Sequence, residues 1–95
     1  MEKKMEKEKN IMDGKGKEYN YYNGELMFEG EYLNGKRNGK GKEYYDYGKL
    51  IFEGEYLNGE RWNGKGKVYV DYNGELEFEG KYLNGKRKYD SDKLN

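Results

Sequence analysis

The sequence has no cysteine, histidine, proline or threonine, and Ser91 is its single serine. Without cysteine there are neither disulfides nor thiolate metal sites, and without histidine the commonest nucleophile–base pairs and the usual zinc sites cannot be assembled. Nucleophile chemistry of the serine or threonine kind rests on Ser91 alone, in a polar tail. The expectation is a protein that is not an enzyme and uses no cofactor and no metal. Long apolar runs are also missing, so no helical membrane span is predicted. The first ten residues lack the apolar centre of a signal peptide, and the expected location is cytoplasmic. Neither charge sign is in excess, with 19 Lys+Arg against 19 Asp+Glu. No net field draws the chain to nucleic acid, which is not an expected partner.

The chain is 95 residues long, 40% charged and 33% hydrophobic. Such a balance alone favours an unfolded polymer. Twelve Tyr, three Phe and one Trp argue the other way, because broad flat side chains suit a half-buried pleated sheet. A chain of this size is one domain at most and builds no large closed core.

Self-similarity determines the fold class. The motif Gly-Lys-Gly-Lys recurs at Gly14, Gly39 and Gly64, a period of 25 residues. Three units follow, over residues 14–38, 39–63 and 64–87, flanked by a charged tail at 1–13 (without order, or a short helix) and a polar tail at 88–95. The middle unit lacks one residue before Gly48 and regains one at Trp62. The last unit is more polar, with Glu77 where Met27 and Ile51 stand earlier, as a terminal repeat requires.

Each unit reads as a β-hairpin. In the first, strands over residues 15–22 and 25–33 flank Asn23-Gly24, a pair suited to the two-residue turn that needs positive φ twice. Asn73-Gly74 repeats that turn, and Asp46-Tyr47-Gly48 suits a three-residue version. The segments 34–38 and 58–63 read as linkers. The expected fold is all-β: a single-layer antiparallel meander of three hairpins and six strands, an open, elongated, twisted sheet.

With that turn, Tyr19 faces Phe28 and Lys17 faces Gly30. One face then collects Tyr19, Tyr21, Phe28 and Tyr32, with Tyr44, Phe52 and Tyr56 and with Tyr69, Phe78 and Tyr82 in the later units. The opposite face collects Glu18, Glu29 and Glu31, the alternation of a sheet covered on one side. Gly30, Gly54 and Gly80 lie among the aromatics, which predicts that rings of a neighbouring hairpin cover bare backbone there. The aromatic face is the first candidate for a partner surface.

The run Phe28-Glu29-Gly30-Glu31-Tyr32-Leu33-Asn34-Gly35, continuing to Gly39-Lys40-Gly41, resembles the MORN repeat, and it recurs from Phe52 and, shortened, from Phe78. The resemblance covers residues 14–87. Lys42-Glu43-Tyr44-Tyr45 with Gly48-Lys49-Leu50 is most similar to the bacterial variant of that repeat. The resemblance implies a protein-interaction scaffold, with a protein partner or a homodimer. Peripheral attachment to anionic lipid and an antitoxin-like binding role are the alternatives it brings.

A second candidate surface is basic. Lys36, Arg37, Lys40, Lys42, Arg61, Lys65 and Lys67 cluster near the Gly-Lys-Gly-Lys motifs and the linkers, while the carboxylates concentrate toward the other strand ends. This predicts a basic margin that contacts an anionic surface, separated from an acidic margin by more than the roughly 8 Å over which salt screens. The plainer reading is that these are solvated turn residues that keep an aromatic sheet soluble.

Overall fold

Three Asn-Gly pairs set the topology, at Asn34-Gly35, Asn58-Gly59 and Asn84-Gly85. All six residues have positive φ, from 50° at Asn58 to 91° at Gly59. Two consecutive left-handed residues reverse the chain with the twist of the flanking strands. Leu33 therefore pairs directly with Lys36, Leu57 with Glu60 and Leu83 with Lys86. Of the segments read as linkers, residues 36–38 and 60–63 are strand, and the Asn-Gly pairs that precede them are the tight turns.

The computed structural model describes residues 5–7, 13–45, 48–70 and 74–89. Their strands form one open antiparallel sheet in chain order: β1 (Met5–Lys7), β2 (Gly14–Asn20), β3 (Leu26–Leu33), β4 (Lys36–Tyr45), β5 (Lys49–Leu57), β6 (Glu60–Tyr69), β7 (Leu76–Leu83) and β8 (Lys86–Lys88). The all-β single-layer meander is as the repeats predict, lengthened by a three-residue strand at either end. Residues 5–7 of the N-terminal tail pair with β2 as strand. Asn73, the 46–47 pair and the polar tail from 90 onward lie outside the described residues.

The first loop differs from expectation, and the register with it. Asn20 and Glu25 close a four-residue loop: the Asn20 amide donates to the Glu25 carbonyl and the Gly24 amide to the Asn20 carbonyl, both at 2.8 Å. The Asn20 side-chain oxygen also accepts from the amides of Tyr22 and Asn23. A bulge between Glu18 and Tyr19 then brings Glu18 opposite Phe28 and Gly16 opposite Gly30. Because side chains alternate with a period of two, this one-residue shift inverts the first strand of each hairpin. Glu18, Glu43 and Val68 oppose Phe28, Phe52 and Phe78, the positions expected for Tyr19, Tyr44 and Tyr69.

The core is a chain of rings along one face. Tyr32, Phe28, Tyr56, Phe52, Tyr82, Phe78 and Tyr89 follow one another edge to face, with centroids 5.1–5.7 Å apart. Each such contact adds about 0.5–1.5 kcal/mol to the burial of the rings. Phe28 reaches Gly41 in the next unit and Phe52 reaches Gly66; a Cβ on either glycine would lie 2.7 Å from a ring carbon. Bare backbone under a neighbour's ring thus occurs at the first-strand glycines Gly41 and Gly66 and not at Gly30, Gly54 and Gly80, where the close neighbour is the backbone of the next strand.

The units are also stitched at their turns. Asp13, Asn38 and Asn63 accept, through a side-chain oxygen at 3.0 Å, from the amides of Asn34, Asn58 and Asn84. The amides of Gly59 and Gly85 donate to the carbonyls of Arg37 and Trp62.

Candidate functional site

Two faces of one layer have to be weighed as binding surfaces. On the ring face, Phe28, Phe52 and Phe78 are 0%, 1% and 2% exposed, although among the described residues no second layer covers them. Arginines close the row. The guanidinium carbons of Arg37, Arg61 and Arg87 stand 4.2, 4.9 and 5.2 Å from the ring centres of Phe28, Phe52 and Phe78. Planar, weakly hydrated guanidinium groups stack on aromatic faces at little cost in desolvation.

Carboxylates hold the arginines in place. Glu18, itself buried, accepts from Nε and Nη2 of Arg37 at 3.0 and 2.8 Å and from the Tyr32 hydroxyl at 2.6 Å. Glu43 repeats this one unit on, accepting from Arg61 Nε at 3.0 Å and the Tyr56 hydroxyl at 2.6 Å. Burial pushes the Glu43 carboxyl up, but Arg61, the Tyr56 hydroxyl and the nearby Arg37 outweigh it and leave Glu43 below its ordinary 4.5. Burial and the Glu43 carboxylate raise the Tyr56 hydroxyl well above its ordinary 10.0, and burial with Glu18 does the same to Tyr32.

These shifts bracket a pH window. Glu43, depressed in the fold, adds stability above its ordinary value that is lost as pH falls through the lowered one. Tyr32 and Tyr56, raised in the fold, add stability below 10.0 that is lost as pH rises through the raised values. The urea midpoint should therefore fall at both extremes, with the acid loss smaller in Glu43→Gln than in the wild type. An equal acid loss in both proteins places its origin elsewhere.

The third unit breaks the pattern at Val68, which packs against the core where Glu18 and Glu43 stand earlier. The Tyr82 hydroxyl there accepts from Arg61 Nη1 at 2.9 Å, and Arg87 turns to Glu77 at 3.2 Å. Val68→Glu supplies the missing acceptor and should raise stability by about 1 kcal/mol, read as a higher urea midpoint. A lower midpoint counts against the repeated Glu–Arg–Tyr arrangement as a stabilising unit.

The opposite face is open and striped by charge. Residues flanking the glycines of each strand point there by alternation. They are Lys15 and Lys17 on β2, Glu29 and Glu31 on β3, Lys40 and Lys42 on β4, and Glu53 and Glu55 on β5. Register sets each lysine beside a glutamate: Lys17 by Glu29, Glu29 by Lys42, Lys42 by Glu53, with Lys15 by Glu31 and Lys40 by Glu55. Between the two rails runs a groove of about 630 Å³ floored by Gly16, Gly30, Gly41 and Gly54. Among the described residues, Lys15, Lys17, Lys40 and Lys42 hold no carboxylate within ion-pair distance.

The sequence-predicted surfaces change accordingly. Of the aromatic set, Phe28, Tyr32, Phe52, Tyr56, Phe78 and Tyr82 do share a face, but as buried core rather than contact surface. Tyr44 lies on the other face, its hydroxyl donating to Glu29 at 2.7 Å. Tyr69 stacks on Tyr45 with centroids 5.2 Å apart, Tyr21 is exposed in the first loop, and Tyr19 follows the bulge. Of the basic set, Arg37 and Arg61 are tied to Glu18 and Glu43. Lys36 pairs across the turn with Leu33, Lys40 and Lys42 lie in the stripes, Lys65 stands beside Glu53, and Lys67 beside Glu79. Among the described residues the basic and acidic sets do not form separate margins, because antiparallel pairing sets lysines beside glutamates.

Glu18 and Glu43 are the residues that sequence reasoning placed wrongly. A signal for them was present: a tight turn at Asn34-Gly35 brings Arg37 beside Tyr32, and a buried arginine demands a carboxylate. Among the described residues no group of acidic side chains is placed to hold a metal ion, and no helix is long and apolar enough to cross a membrane. No family model, curated protein or solved structure matches the chain.

Proposed function

We propose that this chain is a non-catalytic scaffold of the MORN-repeat type that binds a protein partner on its lysine–glutamate face. One observation carries the reading. The ring face is sealed by the chain's own arginines and tyrosines, so the surface left open in repeated register is the grooved, striped one. A sheet stitched from unit to unit at its three tight Asn-Gly turns presents such a pattern at little ordering cost on binding.

A bilayer is the weaker reading. A uniformly anionic surface meets Glu29, Glu31, Glu53 and Glu55 as closely as the four lysines between them, and attraction and repulsion offset. The test combines two measurements on Lys40→Glu/Lys42→Glu and wild type. Affinity capture from a lysate of the native cell should retain a protein on the wild type that the variant loses. Anionic vesicles should float neither protein. Capture that is identical for both, or flotation of the wild type alone, overturns the scaffold reading of this face.

A further inference from the structure

The stripes on the open face follow a rule that restricts what docks there. Both flanking residues of a strand carry the same sign, and the sign changes at each strand from β2 to β5. The sign alternates at the strand spacing of about 4.8 Å and so repeats every second strand, about 9.6 Å. A polyanion of any kind presents one sign and gains nothing from alternation. A matching partner alternates with the same period, and a surface made of strands has that period.

We propose that this face docks a second copy of the chain about a two-fold axis parallel to the strands, passing between β3 and β4. The operation leaves position along the strands unchanged and reverses the strand order. Glu29 and Glu31 of one copy then lie over Lys42 and Lys40 of the other, and Lys17 and Lys15 lie over Glu53 and Glu55. All eight groove-lining charges meet an opposite charge, and the same eight do so from the other copy. An axis lying on β4 sets lysine over lysine, and an axis perpendicular to the strands through the glycine row also superposes like signs. Axes between β2 and β3 or between β4 and β5 also set lysine over glutamate, but only the axis between β3 and β4 pairs all eight of these charges with an opposite one. Face-packed sheets keep their strands within roughly 30° of each other, which holds the four central stripes in register. Among the described residues these lysines have no internal ion pair to give up, while Glu29, Glu31 and Glu55 each keep one hydrogen bond within the chain, to the Tyr44 hydroxyl, the Lys40 amide and the Asn63 side chain. The inference rests on the striped face being the binding face and adds the identity of the partner.

The test uses complementary charge reversal in the full chain. One variant carries Lys15→Glu and Lys17→Glu, the other Glu53→Lys and Glu55→Lys. Each sets like charges over each other when it pairs with itself, whereas one copy of each restores every pair. Sedimentation velocity of the wild type at low salt should show dimer. Dimer should be lost near 1 M salt, where the screening length is about 3 Å. Each variant alone should remain monomeric with a dissociation constant raised at least about tenfold, and an equimolar mixture should form a heterodimer. Circular dichroism verifies the fold of both; if either quadruple-charge change unfolds the sheet, the single changes Lys17→Glu and Glu53→Lys repeat the mixing experiment. A monomeric wild type at low salt, dimers of both variants alone, or a mixture that stays monomeric overturns the proposal. A monomeric wild type that still captures a lysate protein through Lys40 and Lys42 removes self-pairing alone and leaves the scaffold reading standing.

Discussion

Phe52→Ala should lower the free energy of unfolding by about 3–5 kcal/mol, a large part of the roughly 5–15 kcal/mol that holds an ordinary domain together. Phe52 is the middle of three buried phenylalanines, touching Tyr56 of its own strand at 5.2 Å and Tyr82 of the next unit at 5.4 Å between centroids. It also lies under the Arg61 guanidinium and over Gly66. Removing the ring therefore opens a cavity that backbone cannot fill, exposes Arg61 from one side and removes the ring contact between the second unit and Tyr82 of the third. A urea melt with one transition at a much lower midpoint is the expected result. An exposed-position control is Leu50→Ala, at 43% exposure, with an effect within about 0.5 kcal/mol. A loss for Phe52→Ala no larger than that control means the ring row does not hold the sheet together.

Gly54→Ala should be nearly as damaging, by about 3 kcal/mol, for the opposite reason. A Cβ there runs into the carbonyl oxygen of Asn63 and lies 2.7 Å from the Gly64 Cα, both backbone atoms of β6. A side chain in the way can change rotamer, but a paired strand moves only by breaking its ladder. Gly48 provides the comparison, since a Cβ at that position meets nothing within 4 Å and the cost comes from its positive φ of 79°. Gly48→Ala should cost about 1 kcal/mol, so the two variants separate crowding between strands from backbone conformation. Equal midpoints for both would show that the close approach of β5 and β6 is unimportant.

Much of the architecture was legible in the residues. A fixed spacing of Gly-Lys-Gly-Lys, with Phe and Tyr four apart around a glycine, predicts hairpins of one kind laid side by side with rings on one face. Phe28, Tyr32, Phe52, Tyr56, Phe78 and Tyr82 fulfil that prediction because they belong to second strands, whose own alternation needs no knowledge of the partner. The first strands were misread because their side was inferred from a turn. Asn23-Gly24 and Asn34-Gly35 are the same dipeptide, yet one ends a four-residue loop held by the Asn20 side chain and the other is itself the two-residue turn. Local propensity does not separate them.

By itself the sequence determined a one-layer repeating sheet, its period, its ring row and the lack of the commonest catalytic and metal-binding side chains. Tertiary structure decided which face each lysine and glutamate joins. Pairing register does so, because a strand has two sides and a shift of one residue exchanges them. That shift moves Glu18 and Glu43 in among the rings, ties Arg37 and Arg61 to them, and leaves the remaining charges alternating strand by strand over a groove. The sign pattern of the open face is thus a property of hydrogen-bonded neighbours distant in sequence, which composition along the chain does not contain.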